Sequence, residues 1–339
     1  MTARVVSGMR PTGRLHLGHL VGALSNWVPL QQQYDCFYFV ADWHALTSEY
    51  ADTGPLVSHA YDMVADWMAA GLDPEKSTFF VQSLVPEHAE LLLLLSMVVP
   101  VPWLERVPTF KEQQENLKDK DLSTLGFLSY PLLQAADVAI YDGRFVPVGD
   151  DQVAHLELAR EAVRRFNNFF GPRDSASGPA TLVEPQPLLT KMSRLPGLDG
   201  DKKMSKSLGN TILLSDDAET VTRRVRSMYT DPKRVRADIP GTVEGNPVFI
   251  YHDTFNPDTA EVEDLKARYR AGKVGDVEVK TKLARALNQH LEPIRERRAA
   301  VLAKPGRVKE ILHEGSKKAR AVACETMERV REAVKLRYA

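Results

Sequence analysis

The chain holds 339 residues, and 44 Lys and Arg stand against 45 Asp and Glu for a formal net charge of −1. That balance excludes binding to a polyanion by bulk charge, so any nucleic-acid surface must be a local patch. A hydrophobic share of 43% with 26% charged residues excludes a disordered chain, and the length suits two domains.

Two cysteines, Cys36 and Cys324, cannot build a disulfide framework, and reduced thiols are expected. The opening MTARVVSGMRP has no long apolar run, so no signal peptide is expected. LLLLLSMVV at 91–99 falls far short of the roughly 20 residues a membrane span needs. The expectation is a soluble cytoplasmic protein, with neither membrane nor DNA as partner.

In chain order, Val5-Val6 reads as a short strand, and SGMRPTG leads to a helix from about His16. Leu17, Leu20, Val21, Leu24, Trp27 and Val28 give that helix an apolar face at helical spacing, and Pro29 kinks or ends it. CFYFVA at 36–41 is unbroken apolar, as in a parallel strand covered on both sides. A helix runs from about Pro55 to a stop at Gly71. TFFVQ at 78–82 is a further strand, and 87–98 a further helix. Strand and helix in alternation predict a Rossmann-like, doubly wound parallel α/β sheet, with ligands at the carboxyl ends of its strands.

FKEQQENLKDKDLS is charged and predicts a mobile surface loop over 111–123. A helix apolar on nearly every side follows at 125–141, then a strand at RFVPV and a helix over about 151–170. Residues 172–200, rich in Pro, Gly and Ser, mark a change of region. Beyond it the pattern is helical, at 216–228, 259–271, 276–303 and 305–336. The expected division is a catalytic domain over 1–210, a helical domain over 211–310, and a C-terminal helix over 311–339 packed back on the first.

Two stretches carry chemistry. GRLHLGHL (13–20) sets His16 and His19 around Gly18 at a helix start. A metal site is a poor reading, because zincins space their histidines at i and i+4 with a carboxylate between them. A phosphate cradle fits better: amide N–H groups and the dipole face the first turn, and Gly18 lets a nucleotide approach. Ordinary helix capping also accounts for the tetrapeptide alone. The second stretch, DKKMSKSLGN (201–210), is a cationic loop, which in isolation reads as a solvated turn. KMSR also occurs at 191–194, but Leu-Pro follows it, so the later copy is taken as the working one.

HLGH on the first helix with KMSKS after the α/β region resembles the paired signature of class I aminoacyl-tRNA synthetases. Within that class, SGMRPTG, ADWHALT, GLDPEK, FVQSLVPEH, YPLLQAADVAIY and VPVGDDQVAHLELAR resemble the bacterial tryptophanyl enzymes. That group usually has Thr-x-Gly-Asn in place of HLGH and Gln in place of Arg10, whereas tyrosyl enzymes carry His-x-Gly-His.

The resemblance implies ATP-dependent activation of L-tryptophan and its transfer to tRNA(Trp), with Mg²⁺ on the phosphates, no protein-bound structural metal, and a homodimer. It implies that Arg10, Thr12, Gly13, His16, Gly18 and His19 hold ATP, together with Gly149, Asp151, Gln152, Lys203, Met204, Ser205, Lys206 and Ser207. Lys203, Lys206, His16, His19 and Lys111 would stabilise the transferring phosphate and the pyrophosphate. The tryptophan pocket would comprise Val6, Ser7, Gly8, His44, Tyr130, Gln134, Asp137, Val148 and Gln152. Asp137 lies in an otherwise apolar helix, and a buried carboxylate needs a partner. That partner is either a structural Arg or Tyr, or the indole N–H of tryptophan. Arg223, Arg224, Arg226, Lys233, Arg234 and Arg236 form the basic cluster expected to meet tRNA, although a solvated basic helix end gives the same pattern. A tyrosine-specific enzyme, an RNA-binding regulatory paralogue and a small nucleotidylyltransferase are the alternatives.

Overall fold

The computed structural model describes residues 3–107, 122–149, 153–172, 180–189, 195–200, 204, 208–232, 234, 236–304 and 306–338. Five strands make one sheet: β1 (Arg4–Met9), β2 (Asp35–Val40), β3 (Ser77–Val81), β4 (Phe145–Val148) and β5 (Gln186–Leu189). Their order is β3-β2-β1-β4-β5, and every neighbouring pair is parallel.

The unbroken apolar strands have a direct cause. Val5, Cys36, Tyr38, Val40 and Phe79 enter one core cluster, while Val6, Phe37, Phe39 and Phe80 enter another. Alternate side chains thus leave the sheet on opposite faces, and both faces are covered.

On the first face lie α1 (Leu17–His19), a π-helical stretch (Leu20–Leu24), α2 (Ser25–Leu30) and α4 (Leu56–Ala70); α3 (Asp42–Glu49) follows β2. On the second lie α5 (Glu87–Ser96), α6 (Val101–Glu105), α7 (Leu125–Ala139) and α8 (Val153–Phe170). The helix predicted from His16 is therefore three consecutive pieces, with Pro29 inside the last. Gly71 ends α4 at φ +113°, and its N–H returns to the carbonyls of Met68 and Trp67.

The tail comprises α9 (Ala218–Arg226), α10 (Pro247–Phe255), α11 (Thr259–Arg270), α12 (Asp276–Leu302) and α13 (Arg307–Ala333). Four elements depart from the sequence reading, among them the short helices α3 and α6, where none was expected. Strand β5 lies within the Pro-rich stretch read as a boundary, and α10 falls where no helix was predicted.

Helix α13 lies along the edge strand β3. Ser316 Oγ accepts from the Val81 N–H at 3.1 Å, so the helix closes an edge that would otherwise present open backbone groups. Its Ile311 and Leu312 join the first cluster, and Ala319, Ala323, Met327 and Val330 the second. Among the described residues no helix is long and apolar enough to cross a membrane.

Candidate active site

The strand order reverses between β1 and β4, and a crevice at the carboxyl ends of such a pair is where open α/β sheets take ligands. The chain leaves β1 through Arg10 and Thr12, turns at Gly13 (φ +110°), and enters α1 at Leu17. Gly149 follows β4 directly.

The histidines of HLGH cap their own helix. His16 Nδ1 accepts from the Gly18 N–H at 3.1 Å, and His19 Nδ1 accepts from the His16 N–H at 3.2 Å. An accepting Nδ1 puts the proton of each neutral ring on Nε2. The two rings lie 3.9 Å apart between centroids. A methyl group on Gly18 would sit 2.9 Å from the His16 ring, so glycine is needed for the cap itself as well as for any approaching ligand.

The other side of this loop is made by the residues that follow KMSKS. Leu17 N–H donates to the Ile212 carbonyl at 3.0 Å, and Leu214 N–H donates to the Leu15 carbonyl at 2.9 Å. Met204 is buried, and its Sδ lies 3.4 Å from the Gly18 nitrogen. Thus Met204 and the segment Ile212–Leu214 are both held against the HLGH loop. Lys111, Asp151, Gln152, Lys203, Ser205, Lys206, Ser207 and Lys233 lie outside the described residues, as do Lys191–Arg194.

On the α7 side is a cavity of about 250 Å³ lined by Gly8, Arg10, Phe39, Ala41, His44, Thr47, Tyr130, Gln134 and Asp137. Gly8 is fixed by space: a Cβ there would lie 2.3 Å from the Phe39 ring, which forms part of the wall. Tyr130, Gln134 and Asp137 come from successive turns of α7 and share one face. Arg10, expected on ATP, lines this cavity. Burial holds its pKa below the usual value, against the opposing charges of Glu49 and Tyr130. Val6, Ser7 and Val148 do not line it; Val6 and Val148 are packed into the second core cluster.

Asp137 is 1% exposed and already has partners, none of them Arg or Tyr. Its Oδ2 accepts from His44 Nε2 at 2.7 Å, and its Oδ1 accepts from His88 Nδ1 and Gln82 Nε2, each at 2.7 Å. His88 Nε2 meets the Tyr141 hydroxyl at 2.6 Å, an arrangement a neutral imidazole satisfies by accepting there and donating to Asp137. Burial pushes the Asp137 carboxyl up, but the two histidines and their hydrogen bonds outweigh it and hold the pKa down to about 2.

Gln82 and His88 were not singled out from the sequence, and their signal was the FVQSLVPEH stretch itself. Gln82 also accepts from the His44 N–H at 3.4 Å, and the next residue, Ser83, donates through its N–H to Asp42 Oδ1 at 3.1 Å. The turn after β3 therefore sets the start of α3 and, with it, His44.

The basic cluster divides. Arg223, Arg226 and Arg236 are exposed, the last paired with Asp238 at 2.7 Å. Arg224 donates to the Thr211 carbonyl at 2.8 Å and so braces the segment after KMSKS. Arg234 corrects the sequence reading: its guanidinium is wholly buried and takes up Asp276, the Ile239, Ala237 and Val274 carbonyls, and the Tyr269 ring. It holds the tail together and presents nothing to a phosphate.

Comparison with known proteins agrees with this geometry. The family described as tRNA synthetases class I (W and Y) matches residues 1–292. A tryptophan–tRNA ligase of Treponema pallidum is 49% identical, covering 98% of this chain and 97% of its own. One from Thermotoga maritima is 48% identical, covering 99% and 100%. The crystal structure of tryptophanyl-tRNA synthetase from Campylobacter jejuni, complexed with ADP and tryptophan, superposes with a TM-score of 0.84 at 33% identity, covering 98% of this chain and 99% of that one. The chain belongs to the class I tRNA synthetase family of the tryptophan and tyrosine enzymes.

Proposed function

We infer that the chain acts as a tryptophan–tRNA ligase. What carries the reading is near-half identity to such ligases over the whole chain, with a cavity whose buried Asp137 accepts hydrogen bonds at the end of β1. In the first step a tryptophan carboxylate oxygen attacks the α-phosphorus of ATP. The bond to the β-phosphate bridging oxygen breaks, leaving tryptophanyl-adenylate and pyrophosphate. In the second, the terminal tRNA ribose hydroxyl attacks the acyl carbon and AMP leaves. A carboxylate is already anionic at neutral pH, so the first step asks for alignment and charge stabilisation rather than a protein nucleophile.

Asp137 is the proposed acceptor for the indole N–H. An ionised carboxylate offers about four lone-pair sites, and three are used by His44, His88 and Gln82. A fourth donor fits on Oδ2, and the three present partners fix where it must stand. Tyr130 and Gln134 would hold the rest of the amino acid, with Gln152.

For ATP, the proposed holders are Thr12, Gly13, His16, Gly18 and His19 on one side, with Gly149, Asp151 and the segment Lys203 to Ser207. Each Nε2–H of the histidine pair is a donor suited to a phosphate oxygen. Lys203, Lys206 and Lys111 would take the charge that develops on pyrophosphate. Mg²⁺ would neutralise phosphate charge when bound. Among the described residues no group of three or more His, Cys, Asp or Glu gathers that could hold a metal ion.

The tail is proposed to meet tRNA(Trp) through Arg223, Arg226 and Arg236. A second copy is the proposed partner, met by exposed apolar side chains on α5, just past its end, and on α6 and α7: Leu93, Met97, Val101 and Leu125. The cytoplasm, which holds ATP and tRNA, is the proposed place of action. Charging of total tRNA with each aromatic amino acid tests the reading: attachment of tryptophan is expected, and attachment of tyrosine alone would overturn it.

A further inference from the structure

Helix α12 grips both strands of the proposed ATP cradle. On one side Arg298 Nε donates to Asp66 Oδ1 at 2.6 Å, and Asp66 Oδ2 accepts from the Leu15 N–H at 3.1 Å. Leu15 immediately precedes His16. On the other side Arg295 Nη1 donates to the Asp216 carbonyl at 3.1 Å, and Asp216 Oδ2 accepts from the Leu213 N–H at 2.9 Å. Leu213 lies opposite His16 as an isolated bridge.

Arg295 and Arg298 stand three residues apart and so share a face of the helix. Each holds an aspartate whose carboxylate accepts from one of the two paired segments, Asp66 from Leu15 and Asp216 from Leu213. We propose that Arg295 and Arg298, with Asp66, are positioning residues for nucleotide activation: they set the spacing between the HLGH loop and the segment Ile212–Leu214 that pairs with it.

The physical ground is burial. Asp66 is fully buried in α4, and a carboxylate held there by one guanidinium and one backbone amide has no latitude to move without losing a partner. Arg298 also binds Asp62 at 2.8 Å, and Arg297 Nε donates to the Ala69 carbonyl at 2.6 Å, so α12 is fixed to α4 at several points. The Leu15 amide is consequently referenced to a rigid helix pair rather than to its own loop. A bond needed only to hold α12 on α4 would not use the second oxygen of Asp66 on the cradle backbone.

This assignment rests on the reading of residues 15–19 as an ATP site. The test compares two paired variants of the full chain in tryptophan-dependent ATP–pyrophosphate exchange, Asp66→Asn with Arg298→Met and Asp66→Leu with Arg298→Met. Both remove the buried ion pair, but only the asparagine oxygen can still accept from the Leu15 N–H. The expected result is an ATP KM about tenfold higher for the leucine pair than for the asparagine pair, with the tryptophan KM the same for both. Equal ATP KM values would overturn the proposal. Arg298→Lys in the otherwise native chain keeps the test open should a pair not fold: a raised ATP KM with an unmoved tryptophan KM supports it, and a lowered Tm with both KM values unmoved overturns it. His16→Ala, measured in parallel, separates the two levels. If it leaves the ATP KM unmoved, the ATP reading of the loop fails. If it raises that KM while the paired variants agree with each other, the positioning assignment alone fails.

Discussion

The sulfur of Met204 lies 3.4 Å from the amide nitrogen of Gly18, across 186 residues of sequence. That contact puts Met204, the second residue of KMSKS, beside the HLGH loop. A methyl group on Gly18 would lie 3.6 Å from that sulfur and 2.9 Å from the His16 ring. Gly18→Ala should therefore displace the His16 cap and raise the ATP KM by about tenfold, an effect of roughly 1.4 kcal/mol. Pyrophosphate exchange at varied ATP reads this; an unchanged KM would show that the loop has slack.

Lys206→Ala should slow adenylate formation by about 10²–10³-fold, the range for losing one donor to developing charge. Tryptophan binding, followed by equilibrium dialysis without ATP, should hold within a factor of two or so. A parallel fall in both would place Lys206 outside the transition state.

The Asp137 carboxyl sets a pH dependence. Its pKa is held down to about 2 in the folded chain, against about 3.9 when unfolded. A depressed folded pKa contributes stability that is present above the unfolded value and lost as pH falls through the folded one. The contribution is on the order of 2 kcal/mol at neutral pH. Thermal unfolding of Asp137→Asn and the native chain should therefore converge between about pH 4 and pH 2. Parallel curves over that range would mean that the histidines do not stabilise the ionised form.

Arg234→Ala should destabilise the tail by about 3–5 kcal/mol, because it strips the partner from buried carbonyls and from Asp276. Arg226→Ala should leave Tm within about a degree and instead weaken tRNA binding, more so at low salt. Thermal melts and filter binding at two salt concentrations distinguish them. A stable Arg234→Ala chain with weakened tRNA binding would reverse the assignment.

Much of the sheet was legible because its residues obey one rule each. CFYFV at 36–40 carries no polar residue since neither face meets water, and Gly71 ends α4 because the left-handed turn there suits glycine. Strand β5 was not legible: two prolines flank or enter it, and its side chains are half exposed, so it lacks the apolar run of the inner strands. Helix α10 is buried on most sides, which erases the helical period, although Asn246 as its cap and Pro247 at its first turn were there to be read.

The site was legible in its motifs and opaque in its bonds. HLGH and KMSKS mark themselves by composition, but Asp137 finds His44, Gln82 and His88 at separations of 93, 55 and 49 residues. No local pattern encodes such a pairing. Likewise Arg234 looks like its basic neighbours in sequence, and only packing under Tyr269 distinguishes it.

The most direct test is amino-acid-dependent ATP–pyrophosphate exchange by the purified chain, with tryptophan, tyrosine and phenylalanine compared at equal concentration. The account predicts exchange with tryptophan and a preference over phenylalanine of roughly 10⁴–10⁵, the discrimination expected of a site built around one buried hydrogen bond. Exchange driven by tyrosine in preference to tryptophan, or by no amino acid at all, would contradict it.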